Sequence, residues 1–185
     1  HYVLNGEKYL VTFEYMGQDI QTVDIDCGEF ENVIKRGRIE GHKTDDKSEP
    51  LENALFGLFR TDCTEFTESN AIMTAISDEK GYFEFGNIPY GEYVVREIKA
   101  PTGYILSDES YPVSISEDGE VIEITAENKP ITVKISKRDI YGNELKGAKM
   151  QIIDSEGNIV DEWTSDGTDH IVTELPAGDY TLKEI

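Results

Sequence analysis

The stretch GEYVVREI, residues 91–98, returns as GDYTLKEI at residues 178–185. Gly, Tyr, Glu and Ile keep their spacing. Upstream of each copy lies a second matched pair. KTDDKSEPLENA, residues 43–54, corresponds to KRDIYGNELKGA, residues 137–148, with Lys, Asp, Leu and Ala at equal offsets. A third correspondence links Tyr104-Ile-Leu and Tyr111-Pro-Val-Ser-Ile to Tyr2-Val-Leu and Tyr9-Leu-Val-Thr-Phe. Each of these runs leads to a Glu-Asn pair, Glu127-Asn128 and Glu31-Asn32. Matched stretches that recur in the same order are the mark of a repeat array. The matches divide the chain into the end of one repeat (residues 1–36), a whole repeat (37–129) and the beginning of a third (130–185).

Inside the repeats the apolar residues alternate with period two. Ile131 to Ser136, Gly91 to Lys99 and Val121 to Ala126 all read as strands. Turn signals separate the runs: Tyr141-Gly-Asn, Glu156-Gly-Asn, Glu117-Asp-Gly and Pro101-Thr-Gly. No amphipathic helix is apparent. Short strands with turns at close intervals predict an all-β sandwich.

Alternation also fixes side-chain direction, because residues two apart share a face. Ile39, Gly41 and Lys43 form one such series. Tyr93, Val95 and Glu97 form another, and Ile122, Ile124, Ala126 and Asn128 a third. A Lys, a Glu and an Asn therefore each continue an inward-facing series. Strand ends reaching water would account for one such residue. Three in one repeat, with the Lys and Glu recurring as Lys137 and Glu184, call for another explanation. Burying a lone charge costs several kcal/mol. Desolvation turns a lysine towards the neutral amine, a nucleophile. A buried glutamic acid can stay protonated and donate to the asparagine carbonyl. Attack of the amine, with the Glu moving protons, would release ammonia and leave an amide between the first and last strands.

Several features of the complete repeat carry a family resemblance. They are Lys43-Thr-Asp, Leu51-Glu-Asn-Ala-Leu-Phe56, Asp78-Glu-Lys-Gly-Tyr-Phe83, Gly91-x-Tyr93, Glu97-Ile-Lys-Ala-Pro-Thr-Gly-Tyr104 and Asn128. Together they resemble the collagen-adhesin B-type, or SpaA-type pilin, domains of Gram-positive surface proteins. The resemblance implies tandem inverse-immunoglobulin, transthyretin-like sandwiches. It also implies Lys43 as nucleophile, Asn128 as acceptor and Glu97 as acid/base of an isopeptide bond. The piece from Ile131 is similar to the catcher half of engineered peptide-ligation pairs, with Lys137 and Glu184 at the reactive positions. That piece has no Ala-Pro-x-Gly-Tyr and no acceptor. The first piece offers Asn32 as an acceptor without a fitting Lys or Glu.

Composition narrows the function classes. The chain has 185 residues and a formal net charge of −21. Such acidity opposes nucleic acid and anionic membranes, both of which call for Lys/Arg patches. No apolar run is long enough to span a bilayer. The two cysteines, Cys27 and Cys63, make no C-x-x-C and read as free thiols. His1, His42 and His170 lack metal-ligand spacing. There is no G-x-S-x-G, P-loop or G-x-G-x-x-G. No metal, cofactor or conventional enzyme activity is expected. The sequence reads as a stalk repeat of an extracellular, wall-anchored adhesin or pilus protein, its anchor signal lying outside these residues. Its partners would be neighbouring repeats, with host ligands left to other domains. The competing reading is a ligand-binding module using the insertion at Thr61 to Asn70. A further one is strand complementation between molecules, pairing Lys137 and Glu184 with Asn32 of a second chain.

Overall fold

The structure is a computed structural model that describes residues 1–3, 6 and 32–185. The matched stretch from Tyr9, the thiol Cys27 and Glu31 of the first Glu-Asn pair lie outside the described residues. At the N-terminal end, β1 (Tyr2–Val3) pairs antiparallel with β2 (Val33–Ile34).

The complete repeat holds seven strands: β3 (Arg36–Asp45), β4 (Leu55–Arg60), β5 (Met73–Ile76), β6 (Tyr82–Pro89), β7 (Gly91–Lys99), β8 (Ser110–Ile115) and β9 (Val121–Asn128). They form two sheets, in the orders β6-β3-β9 and β5-β4-β7-β8. All pairings are antiparallel except one. The first and last strands, β3 and β9, run parallel, with Lys43 opposite Ala126 and Asp45 opposite Asn128.

The core lies between the two sheets. Along β3, burial alternates without a break from Gly37 to Asp45. Ile39, Phe56, Leu58, Phe85, Ile88 and Val95 are all fully buried. Each such side chain stabilises the fold by roughly 1.5–3 kcal/mol. Phe56 and Phe83 stack face to face with centroids 3.9 Å apart. Gly41 makes room for this pair, since a Cβ there would come within 2.1 Å of the Phe83 ring.

The insertion between β4 and β5 is ordered by the sheet beneath it. It contains a short 3-10 turn, Glu68–Asn70. Phe66 meets Phe59 edge-on at 5.0 Å, and the Arg96 guanidinium lies over its ring at 4.5 Å. Phe59 is thereby buried on the side of its sheet that faces away from the core. The insertion's one aromatic side chain is thus engaged within the repeat itself.

The third segment holds β10 (Thr132–Ile135), β11 (Lys146–Ile153), β12 (Ile159–Asp166), β13 (His170–Thr173) and β14 (Thr181–Glu184). They pair as β10-β13 and β12-β11-β14. These are the partners expected for the first five strands of a repeat. Local hydrogen bonds recur with them. Leu51 N donates to Lys43 O at 2.9 Å, and Leu145 N to Lys137 O at 2.8 Å. Ser77 Oγ accepts from Ala54 N, and Ser165 Oγ from Ala148 N. The Tyr93 and Tyr180 hydroxyls both donate to a proline carbonyl at 2.9 Å, that of Pro89 and Pro176 respectively. Even the backbone irregularity repeats, for Asn87 (φ 57) and Glu174 (φ 61) occupy matched left-handed positions.

The junctions between segments repeat as well. Tyr2 pairs with Ile34 as Tyr104 bridges to Pro130. Lys35 N donates to His1 O as Ile131 N donates to Gly103 O.

One position next to the candidate site has no tolerance for a side chain. Gly81 has φ +74, and a Cβ there would lie 2.2 Å from the Lys43 carbonyl oxygen. Gly81→Ala should therefore cost at least about 2 kcal/mol, read as a fall in the guanidinium unfolding midpoint. Gly86→Ala, whose nearest contact is the flexible end of Glu84, is the near-neutral comparison.

Candidate functional site

The site is assembled by three strands. β3 carries Lys43 inward, β7 carries Glu97 and β9 ends on Asn128. Their exposures are 0%, 4% and 2%. The inward direction read from alternation holds for all three. What brings them together is the parallel pairing of β3 with β9, beneath the sheet that contains β7.

Asn128 Nδ2 donates to Glu97 Oε2 at 2.8 Å and to the Ile105 carbonyl at 2.8 Å. Glu97 Oε2 also accepts from Ser107 N at 2.9 Å. Lys43 Nζ donates to Thr44 O at 3.0 Å and to Ala126 O at 3.2 Å. Two buried oxygens, Glu97 Oε1 and Asn128 Oδ1, have no hydrogen-bond partner. Orphaned buried polar atoms are uncommon in folded proteins and costly. Here two of them sit on adjacent, mutually bonded side chains.

One detail differs from the sequence expectation. Glu97 was expected to donate to the asparagine carbonyl, whereas it accepts from the amide nitrogen. The reason is local. The Ile105 carbonyl can only accept, so it draws the nitrogen end of the amide to the side where Glu97 also lies. The sequence carried no signal for the contributions of Ile105 and Ser107, because both act through backbone atoms.

Electrostatics at the site favour an amine. Burial pushes the Lys43 ammonium down to about 8, opposed by the negative charges of Glu97, Glu127 and Asp45. About a tenth of such a group is neutral one pH unit below that value. A neutral buried amine beside a carboxamide and a carboxylate can act as a nucleophile with an adjacent proton carrier.

The matched residues of the third segment meet differently. Lys137 Nζ and Glu184 Oε2 form an ion pair at 3.0 Å, with the side chains 28% and 53% exposed. The two side chains meet, but without burial. Among the described residues, no strand flanks β10 as β9 flanks β3. Asn32 stands exposed just before β2. His170 is held by Asp161 at 2.6 Å and stacks on Trp163. Among the described residues, no three His, Cys, Asp or Glu side chains gather as a metal-binding group. No helix among them is long and apolar enough to cross a membrane.

The SpaA prealbumin-like fold domain family matches residues 37–130 and again residues 131–185. The chain belongs to this family. Its members are structural domains rather than enzymes, and the all-β architecture agrees with that membership. Among curated proteins, the trypsin-resistant surface T6 protein of Streptococcus pyogenes is 29% identical over 139 residues. That match covers 70% of this chain and 25% of the relative. The serine-aspartate repeat-containing protein E of Staphylococcus aureus is 27% identical over 186 residues, covering 83% of this chain and 15% of the relative. The chain thus spans a quarter or less of either relative. Among solved structures, the TIE protein of Bacillus anthracis has a TM-score of 0.56 at 29% identity. It covers 84% of this chain and 29% of that one.

The Lys43 environment has a measurable consequence in an Asn128→Ala chain, which lacks the carboxamide. The unfolded amine keeps its proton up to about 10.5, and the folded one gives it up from about 8. Between these values the unfolded state binds more protons, so raising the pH favours folding. Stability should therefore climb from about pH 8 to about pH 10.5. The climb should disappear in a Lys43→Met/Asn128→Ala chain, as denaturant titrations at stepped pH would measure.

Proposed function

We propose that this chain is a load-bearing segment of a bacterial cell-surface protein whose complete repeat locks itself with a Lys43–Asn128 isopeptide bond. The observation that carries this reading is the co-burial of Lys43, Glu97 and Asn128, with an orphaned oxygen on each of the last two. A purely structural role leaves that cost unexplained. Bond formation removes the ammonium that the interior disfavours.

The step balances within these three residues. Neutral Lys43 Nζ attacks Asn128 Cγ. One proton passes from Nζ, by way of the Glu97 carboxyl, to Nδ2. The Cγ–Nδ2 bond breaks and ammonia leaves. Glu97 ends as it began, and a secondary amide joins β3 to β9. Nδ2 already rests 2.8 Å from the Glu97 oxygen that would hand it the proton.

The mechanical value follows from topology. Tension along the array enters β3 at Arg36 and leaves β9 after Asn128. Because the two strands are parallel neighbours, such tension loads their hydrogen bonds together, in shear. A covalent bond at Lys43–Asn128 diverts the force past β4 to β8. It also closes a loop of about 85 residues, worth roughly 4–5 kcal/mol in the chain-entropy model. Resistance to proteases follows, since cleavage needs local opening. A trypsin-resistant surface protein among the relatives agrees with both the location and this property.

Electrospray mass of the denatured protein tests the reading. The parent should weigh one ammonia less than its sequence, and Lys43→Ala, Glu97→Ala and Asn128→Ala chains should show their full masses. A full mass for the parent would sink the proposal. In single-molecule pulling, the parent's complete repeat should give no extension from residues 44–127, and the Glu97→Ala repeat should release them.

A further inference from the structure

The segment between β7 and β8 does more than connect them. Ile105 and Leu106 turn their side chains outward, at 55% and 51% exposure. The backbone of Ile105 and of Ser107 meets the buried pair instead. Ile105 N donates to Lys129 O at 2.9 Å, so the segment is fixed beside the end of β9. The Ile105 carbonyl then takes the Asn128 amide nitrogen, and Ser107 N–H takes Glu97 Oε2, the oxygen that Asn128 also contacts. The Ser107 hydroxyl is occupied elsewhere, accepting from Glu109 N at 3.2 Å. An open cavity lined by Leu106, Ser107, Asp108, Glu127 and Asn128 adjoins the carboxamide.

We propose that Ile105 and Ser107 are positioning residues for the isopeptide reaction. Their main-chain groups clamp the amide and the carboxylate so that the departing nitrogen rests on the proton carrier. This rests on the reading given under Proposed function. The carbonyl sets which end of the carboxamide meets Glu97. The N–H holds the Glu97 oxygen where it can hand a proton to that nitrogen. The adjoining cavity gives the released ammonia a way out. Neither role depends on a side chain, so the identity of residues 105 and 107 matters only through the backbone.

The test follows ammonia loss over time by intact mass, in full-length chains made by cell-free translation. Ser107→Ala keeps the N–H and should react at the parent rate. Ser107→Pro lacks it and should react at least about tenfold more slowly, the loss of one oriented hydrogen bond to a charged group. A chain carrying the α-hydroxy analogue of serine at 107 replaces the N–H with an ester oxygen and leaves the backbone path intact. It should be slowed alike, and it decides the matter where the proline chain does not fold. An ester chain reacting at the parent rate overturns the clamp. A parent that loses no ammonia overturns the isopeptide reading instead, so the two failures are distinct.

Discussion

Everything at the candidate site depends on one pairing, that of β3 with β9 in parallel register. It sets Lys43 beside Ala126 and brings Asn128 level with Asp45. An antiparallel arrangement would send the end of β9 to the other end of β3, away from the lysine. Parallel neighbours need a long crossover between them, and here the crossover is the rest of the repeat. The same five strands that complete the sandwich also return the chain to its own beginning. Burial of a lysine is normally a liability, and here it sets the amine on the strand next to the one that carries a buried carboxamide.

The third segment is an internal comparison for this constraint. Its Lys and Glu occupy matched positions, and its local hydrogen bonds copy those of the complete repeat. Yet Lys137 and Glu184 meet as a partly exposed ion pair. Chemical identity and local geometry are therefore insufficient to bury the lysine. Burial comes from the flanking strand and from the second sheet above it, and those are long-range properties.

Much of this was legible in the sequence. Period-two alternation gave the inward direction of Lys43, Glu97 and Asn128, and the matched stretches recur with matched local hydrogen bonds. The turn signals at Pro101, Glu117, Tyr141 and Glu156 all fall at turns. What stayed hidden was non-local or borne by the backbone. Alternation along a strand says nothing about the strand beside it, so the parallel register of β3 with β9 could not be read from it. The orientation of the Asn128 amide is decided by the Ile105 carbonyl, which any residue would supply. The anchoring of Phe66 on Phe59 and Arg96 depends on how a ten-residue insertion folds back over its sheet. The left-handed backbone at Asn87 and Glu174 is set by the turn into the next strand, and neither residue is a glycine that would have announced it.

The direction of the chain at its exit has one more consequence. Because β9 runs alongside β3 with the same polarity, the polypeptide leaves the repeat heading the way it came in. A fold ending on an antiparallel strand would reverse the path and turn successive units back upon each other. Here each unit prolongs the last, and the junction hydrogen bond at Lys35 has its counterpart at Ile131. Reach then scales with the number of units. Gene duplication alone, with no new interface to invent, is enough to add a unit to such an array.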